Sequence, residues 1–300
     1  MKHQNKDAGL SAFFENELRF VKARAYDVVY NELMARTLFP VSSEVDPGAE
    51  SITYEQYDYV GVAKLIHAYA SDLPSVEITG KQFVRKIWSE GISFNYSIQD
   101  VRAARYAGKD LNARKARAAR RQMLALENKI AFHGDEEAGI PGFIMHPNIL
   151  TADAAEAWTV SNQASILADL QAMVIAQRDA TKGMESGNTL LLPDEQYTIM
   201  ATTRLDSTAT ETTLLDYVLQ KFPFIENVVS CYELKGAGEG GEDCAILYRR
   251  DPEKLTLEVP QDVEFLDPQL DGFMYKVPVH ARTAGVMIYC PLSIIRLDGI

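Results

Sequence analysis

Three groups of residues in this chain have types and spacings that chemistry can use. The first is Gly236-Ala237-Gly238-Glu239-Gly240-Gly241, a literal Gly-x-Gly-x-x-Gly. A dinucleotide site needs a helix N-terminus directly behind the glycines, so that free N–H groups meet the pyrophosphate. Here Glu242, Asp243 and a strand-like segment follow instead, and the acids would repel phosphate, so the run reads as a loop between strands. The second group is His133, Asp135, Glu136, Glu137 and His146, all metal-ligand types. Their spacing converges on no ligand set. His133 reads as a helix-end residue facing the last carbonyls, Gly134 as the terminator and the acids as solvated. The third group is Cys231, Cys244 and Cys290, an odd number without CxxC or Cys/His spacing, which reads as reduced, mostly buried thiols. The chain has no Walker loop, HExxH, GxSxG elbow or EF-hand loop. No catalytic residue, cofactor site or metal site is expected. Trp88 and Trp158 read as packing anchors.

The remaining chemistry is charge. The formal net charge of −12 argues against nucleic-acid binding by the protein as a whole. Residues 98–132 invert that balance, with nine basic side chains against three acidic ones, a local +6 that leaves −18 elsewhere. Within the run, Arg114, Arg117, Arg120 and Arg121 are the candidate functional residues, facing either a polyanion such as DNA or acidic surfaces of the same or a neighbouring subunit.

Ala, Arg, Lys, Leu, Met, Gln and Glu fill most positions from 101 to 132, and these residues lose least on entering a helix. At about 1.5 Å per residue a helix over 98–132 spans roughly 52 Å. A compact chain of this length has a radius of gyration of only about 19 Å. One helix is therefore expected to cross the body like a beam and to stop at His133-Gly134.

Around it the hydrophobic pattern changes character several times. Residues 11–37 carry apolar side chains every three or four positions, an amphipathic helix closed by Pro40, and a linker with the turn signal Pro47-Gly48 follows. Tyr-, Val-, Ile- and Thr-rich segments over 52–96 suggest one long hairpin, or else strands that fold back into a local sheet. An extended two-stranded ribbon is marginal in water and needs another subunit to rest on. From 161 to about 267, helices and strands alternate: a helix capped by Ser161, the strand 189–192, a helix opened by Asp194 and Glu195, and strands on both sides of the glycine loop. The end of the chain alternates again, as two strands joined at Arg282-Thr283-Ala284-Gly285 and a last apolar segment. No run of apolar residues reaches the length of a membrane span and the first residues lack a signal-peptide core, so a cytosolic protein without membrane partners is expected.

Two phrases are more specific. Leu126-Glu127-Asn128-Lys129-Ile130-Ala131-Phe132-His133-Gly134, followed by Ala138-Gly139-Ile140-Pro141-Gly142-Phe143, resembles the spine exit of the Hong Kong 97-type major capsid proteins of tailed bacteriophages and their encapsulin relatives. Val277-Pro278 through Arg282-Thr283-Ala284-Gly285-Val286 to Pro291 resembles that family's closing peripheral strands. The resemblance covers essentially the whole chain. It implies an α+β fold with an N-terminal arm at 1–48, an extended E-loop hairpin at 49–96, a peripheral domain at 97–159 and 266–300 with the spine helix at 98–132, and an axial α/β domain at 160–265.

It also implies a function: a non-enzymatic structural subunit that self-assembles, as hexamers and pentamers, into an icosahedral shell around double-stranded DNA. Such a protein resides in the virion capsid after assembly in the host bacterial cytoplasm. Expected partners are other copies of the chain, a portal, a decoration protein, packaged DNA through non-specific contacts, and a separate scaffolding protein, since no scaffolding extension precedes the arm. The alternatives are an encapsulin shell enclosing a cargo enzyme, an α/β enzyme with an unrecognised site, and a basic-helix nucleic-acid regulator.

Overall fold

The computed structural model describes residues 31–60, 75–107, 111–205 and 212–300. The amphipathic helix expected over 11–37 lies outside the described residues except at its end, where Ala35–Leu38 (α1) is helical. The chain then makes the short strand Val41–Ser42 (β1) and turns at Asp46-Pro47-Gly48, where Asp46 Oδ1 accepts the Gly48 N–H at 2.7 Å.

Ser51–Val60 (β2) and Glu77–Lys86 (β3) pair antiparallel over ten rungs, from Ser51 opposite Lys86 to Val60 opposite Glu77. The tip between them is outside the described residues. This ribbon is shorter than the hairpin expected over 52–96. After Ile87 the chain leaves it, and Trp88–Ser97 (β4) pairs instead with a strand almost 200 residues later. The reason lies in the side chains: Glu90, Ile92, Phe94 and Tyr96 alternate inward along β4 and have a core to join, whereas most side chains of β3 point into water.

Ile98–Ala107 (α2) begins with a reciprocal cap, Ser97 Oγ accepting the Asp100 N–H at 2.9 Å while Asp100 Oδ2 accepts the Ser97 N–H at 3.2 Å. Leu111–His133 (α3) is the next helix, with 108–110 outside the described residues. The strand pair Gly134–Asp135 (β5) and Ile140–Pro141 (β6) folds the chain back on the helix end. The Phe143 and Ile144 N–H groups then donate to the Ala131 and Phe132 carbonyls at 2.9 and 3.0 Å, satisfying acceptors that a helix C-terminus leaves open.

Leu150–Asp153 (β7) precedes Gln163–Ala180 (α4). The helix starts two residues beyond the expected Ser161 cap. Asn162 is the N-cap and makes no side-chain capping bond, because its amide donates to Glu156 instead. Thr189–Leu192 (β8), Asp194–Thr202 (α5), Leu214–Lys221 (α6), Asn227–Ser230 (β9) and Cys244–Tyr248 (β10) follow. Asp194 and Glu195 occupy the first turn of α5 as expected. Then come Leu255–Glu258 (β11), Gln261–Phe265 (β12), Gln269–Asp271 (β13), Met274–Thr283 (β14), Gly285–Ile288 (β15) and Ile294–Asp298 (β16).

Three sheets carry the body. The order β7-β16-β10-β8-β9 forms a five-stranded sheet, β1-β11-β15 a three-stranded one, and β14 joins β4 on one edge to β12 and β13 on the other. Two memberships differ from the sequence expectation. The resemblance groups Ile294–Asp298 with the closing peripheral strands, and the segment sits inside the five-stranded sheet, parallel to β7 and antiparallel to β10. All five of its residues are buried, because a core lies on each face of the sheet, with Ile294 in one and Ile295 and Leu297 in the other. Residues 255–265, expected in the axial segment, supply β11 and β12 to the other two sheets.

The five-stranded sheet separates two cores. Leu190 and Leu192 of β8 face Trp158, Ile166, Leu170 and Met173, while Leu191 faces Phe39, Phe132, Phe143 and Tyr248. That two-sided burial explains why 189–192 shows no polar alternation. A third, smaller cluster seats α3 on its sheet through Ala119 and Met123 against Val279 and Ala281. Residues 33–300 form one unit.

The turn after α3 has little room. A Cβ on Gly142 would overlap the backbone of Phe132, His133 and Gly134, whereas Gly139, at φ +66°, has open space around it. Gly139→Ala should cost about 1 kcal/mol from its left-handed backbone alone, and Gly142→Ala about 3 kcal/mol or more from steric overlap. Urea unfolding followed by circular dichroism checks this; equal midpoints for the two variants would refute it.

Candidate functional site

The basic stretch of α3 is the part of the chain with a distinct surface character. Advancing about 100° per residue, Arg114, Arg117 and Arg121 fall within about 60° of one another and opposite Ala119, Met123 and Ile130, which are buried. Arg114 and Arg117 are exposed and Arg121 is half-buried. Arg120 is also exposed but stands to one side of this stripe, where its charge acts on Asp262. Three of the four candidate arginines thus share a face, and the fourth belongs to the flank that meets β12. Lys115 reaches back to β4, its Nζ donating to the Asn95 carbonyl at 2.7 Å and lying 4.6 Å from the Tyr96 ring centroid.

What holds this helix in place is a polar cluster near its C-terminal end. Arg36, from α1, makes a two-pronged bond to Glu127, Nε to Oε1 and Nη2 to Oε2, both at 2.7 Å, and also reaches Asp262 Oδ1 at 2.8 Å. Bonding to Glu127 holds the guanidinium pKa above its usual range, and bonding to Arg36 holds the Asp262 carboxyl below its own. One residue along, Asn128 Oδ1 accepts the Ala35 N–H at 3.0 Å, and its amide donates to Glu233 Oε1 at 2.8 Å. Glu233 also meets His133 Nε2 at 3.2 Å, so the helix end is tied to the segment before the glycine loop. His133 lies at the helix end as expected, but its side chain meets the Glu233 carboxylate where the last carbonyls were expected, because those of Ala131 and Phe132 accept the Phe143 and Ile144 N–H groups.

The other candidates for chemistry scatter. His146 Nδ1 accepts the Asn148 N–H at 3.4 Å, away from His133. Among the described residues no group of three or more His, Cys, Asp or Glu side chains could hold a metal ion. The Gly236–Gly241 run leads into strand β10 with no helix after it, and Asp243 Oδ1 accepts the Gly236 N–H at 2.8 Å, so the loop closes on its own acid. Cys231 and Cys244 are buried, and burial pushes both thiols up to about 12, which leaves no thiolate to react. Trp158 is a packing anchor whose Nε1–H donates to buried Asp169 at 2.9 Å.

Sequence reasoning missed the polar cluster and its most unusual member, Glu90. This side chain lies on the inward face of β4, buried, with Oε1 unbonded. Burial raises its pKa from 4.5 to about 7; repulsion by Glu127 adds to the shift and Arg36 opposes it. An inward polar residue on an otherwise apolar alternation was the available signal.

The sign of its contribution to stability follows. In the unfolded chain Glu90 ionises near its ordinary 4.5, and in the folded chain only near 7. Below pH 4.5 it has no effect; between 4.5 and 7 folding loses stability, and above 7 the full penalty of about 2–3 kcal/mol persists. Glu90→Gln should therefore leave Tm unchanged at pH 4 and raise it increasingly up to pH 7, with a constant gain above. A thermal-unfolding series across pH checks this, and a pH-independent shift would refute it.

The assembled geometry is a basic helix clamped between α1 and the segment before the glycine loop. A family model described as "Major capsid protein" matches residues 61–300. The capsid of Myoviridae phage XM1 is similar at a TM-score of 0.83 and 15% identity, over 95% of this chain and 98% of that one. A virus-like particle from Pyrococcus furiosus is similar at 0.56 and 16%, over 87% and 91%, and the capsid of a native GTA particle at 0.65 and 12%, over 93% and 94%. No curated protein sequence matches the chain. The shared architecture is that of the Hong Kong 97-type capsid fold, and with the family model spanning four fifths of its length, the chain belongs to the major capsid protein family.

Proposed function

We propose that this capsid protein assembles, as hexamers and pentamers of itself, into the icosahedral shell of a tailed phage around double-stranded DNA, in the bacterial cytoplasm, and acts without catalysis, cofactor or metal. The observation that carries the reading is the β2–β3 ribbon. Tyr57, Ile78 and Val84 are 56%, 63% and 66% exposed on a two-stranded element, and such a ribbon is marginal alone. Apolar side chains left in water at this density mark a surface meant for a partner, and a shell supplies one to every copy. In this reading the ribbon is the E-loop and the segment before it the N-terminal arm. α3 with β4, β12, β13 and β14 forms the peripheral domain, and the five-stranded sheet with α4, α5 and α6 forms the axial domain. Scaffolding, portal and decoration proteins are separate partners of the assembled shell.

Expression followed by sedimentation and negative-stain microscopy tests the proposal. Closed particles or capsomer rings are expected, and a monomer under all conditions would overturn it. A second reading, an encapsulin shell around a cargo enzyme, rests on the likeness to the virus-like particle from Pyrococcus furiosus, which is weaker than that to the phage XM1 capsid. Nuclease-protected DNA inside the particles supports the phage reading and a co-purifying enzyme the other. An α/β enzyme would need a site, and its one sequence motif is a loop that leads into a strand.

The stripe of Arg114, Arg117 and Arg121 suits the inner face of a DNA-filled shell. Replacing all three with Gln should lower DNA retention most at low salt and flatten its log–log salt dependence, by about 0.9 for each phosphate that the variant no longer neutralises. DNA content measured against NaCl checks this, and an unchanged slope would assign the arginines to contacts between protein surfaces.

A further inference from the structure

Where the ribbon meets the body there is a cavity of about 450 Å³. Its walls are aromatic: the Tyr54 and Phe83 rings stack across the ribbon at 5.0 Å, and Tyr289 meets Tyr54 edge-on at 5.0 Å, fastening the ribbon base to the residues after β15. Arg85 also lines it, two rungs from Tyr54 and across the ladder from Ile52, and His146 and Asn148 line it from the loop after α3.

Arg85 is the anomaly. It is half-buried, and burial lowers the pKa of its guanidinium, yet among the described residues no carboxylate lies within ion-pair distance of it. Arg36, Arg249, Lys254 and Arg296 each have such a partner. Its charged neighbours give no help. His146 is driven toward its neutral form by burial and by Arg85, and Tyr54 is held protonated by burial. A cation partly removed from water without a counter-charge is costly, and the cost disappears when an anion arrives.

We propose that this cavity receives a carboxylate side chain from a second copy of the chain, paired with Arg85 and with its hydrocarbon stem against the Tyr54, Phe83 and Tyr289 rings. The inference rests on the shell reading and names one of its contacts. A second copy fits because the chain carries 42 acidic residues against 30 basic ones. Surfaces of such copies repel unless some cations are reserved for a neighbour's acids, which also sets register between them. The volume leaves room for the side chain and for the residues that carry it. A nucleic-acid backbone is tracked by several cations along a groove, and this cavity presents one permanent cation between aromatic walls.

The test uses full-length protein. Arg85→Gln removes the charge and an unpaired half-buried cation, so the subunit should fold at least as well as the wild type by circular dichroism, while the concentration needed for particle formation rises about tenfold. Arg85→Lys places an amine at the site. Copies of it in light and heavy isotope form, mixed before assembly and treated with a carbodiimide, should give a zero-length amide from residue 85 to an Asp or Glu peptide of the other isotope, in particles and not in free subunits. Wild-type concentration dependence for Arg85→Gln, or crosslinks confined to one copy, overturns the proposal while wild-type particles leave the shell reading standing. Loss of DNA content with normal shell formation assigns the site to phosphate and also overturns it. Failure of the wild type to assemble overturns both.

Discussion

Everything in the body depends on how α3 ends. At His133 the chain must reverse within a few residues, and it does so by laying the backbone of Gly142 to Ile144 against the last turn of the helix, where the Phe143 and Ile144 N–H groups take up open carbonyls. That reversal places Phe143 beside Phe39 at 4.8 Å and Tyr248 at 5.3 Å, while Phe132 meets Phe39 at 5.3 Å. Four aromatic rings from the end of α1, from α3, from the turn and from the sheet thus share one core. Each fully buried ring contributes on the order of 1.5–3 kcal/mol. None of them could gather if a side chain stood where Gly142 is.

Much of this was legible in the sequence, because local rules decided it. The helices Ile98–Ala107 and Leu111–His133, the stop at Gly134 and the acids opening α5 follow from propensity and dipole, and tertiary structure agrees with them. Strand pairing was less legible. The sequence marks 88–97 as a strand but cannot say that its partner is 274–283, since alternation specifies an inward face and leaves the neighbour open. The same gap hid the place of 294–298 between β7 and β10. For the candidate site, the arginine stripe follows from helical spacing alone. The clamp of Arg36, Glu127 and Asp262 joins residues 91 and 226 positions apart, a distance no pattern spans.

The molecule divides its interactions by kind. Inside, contacts are dense and apolar, with polar groups satisfied by named partners at Glu127, Asn128 and Asp169. Toward the outside it presents apolar side chains on the ribbon, a row of arginines on α3 and a guanidinium at the ribbon base. These groups are spread over separate elements. Spread of that kind suits a part held by many neighbours, each contact modest and the sum large.

The place of β16 has a consequence for how the protein is made. The five-stranded sheet is completed by the segment that leaves the ribosome after every other strand described, and that segment goes between β7 and β10, which otherwise do not touch as neighbours. A nascent chain short of residue 298 has two unclosed sheet edges and an uncovered core. Closure of the sheet therefore waits for the ribosome to release that segment, and products truncated before it cannot present a finished surface.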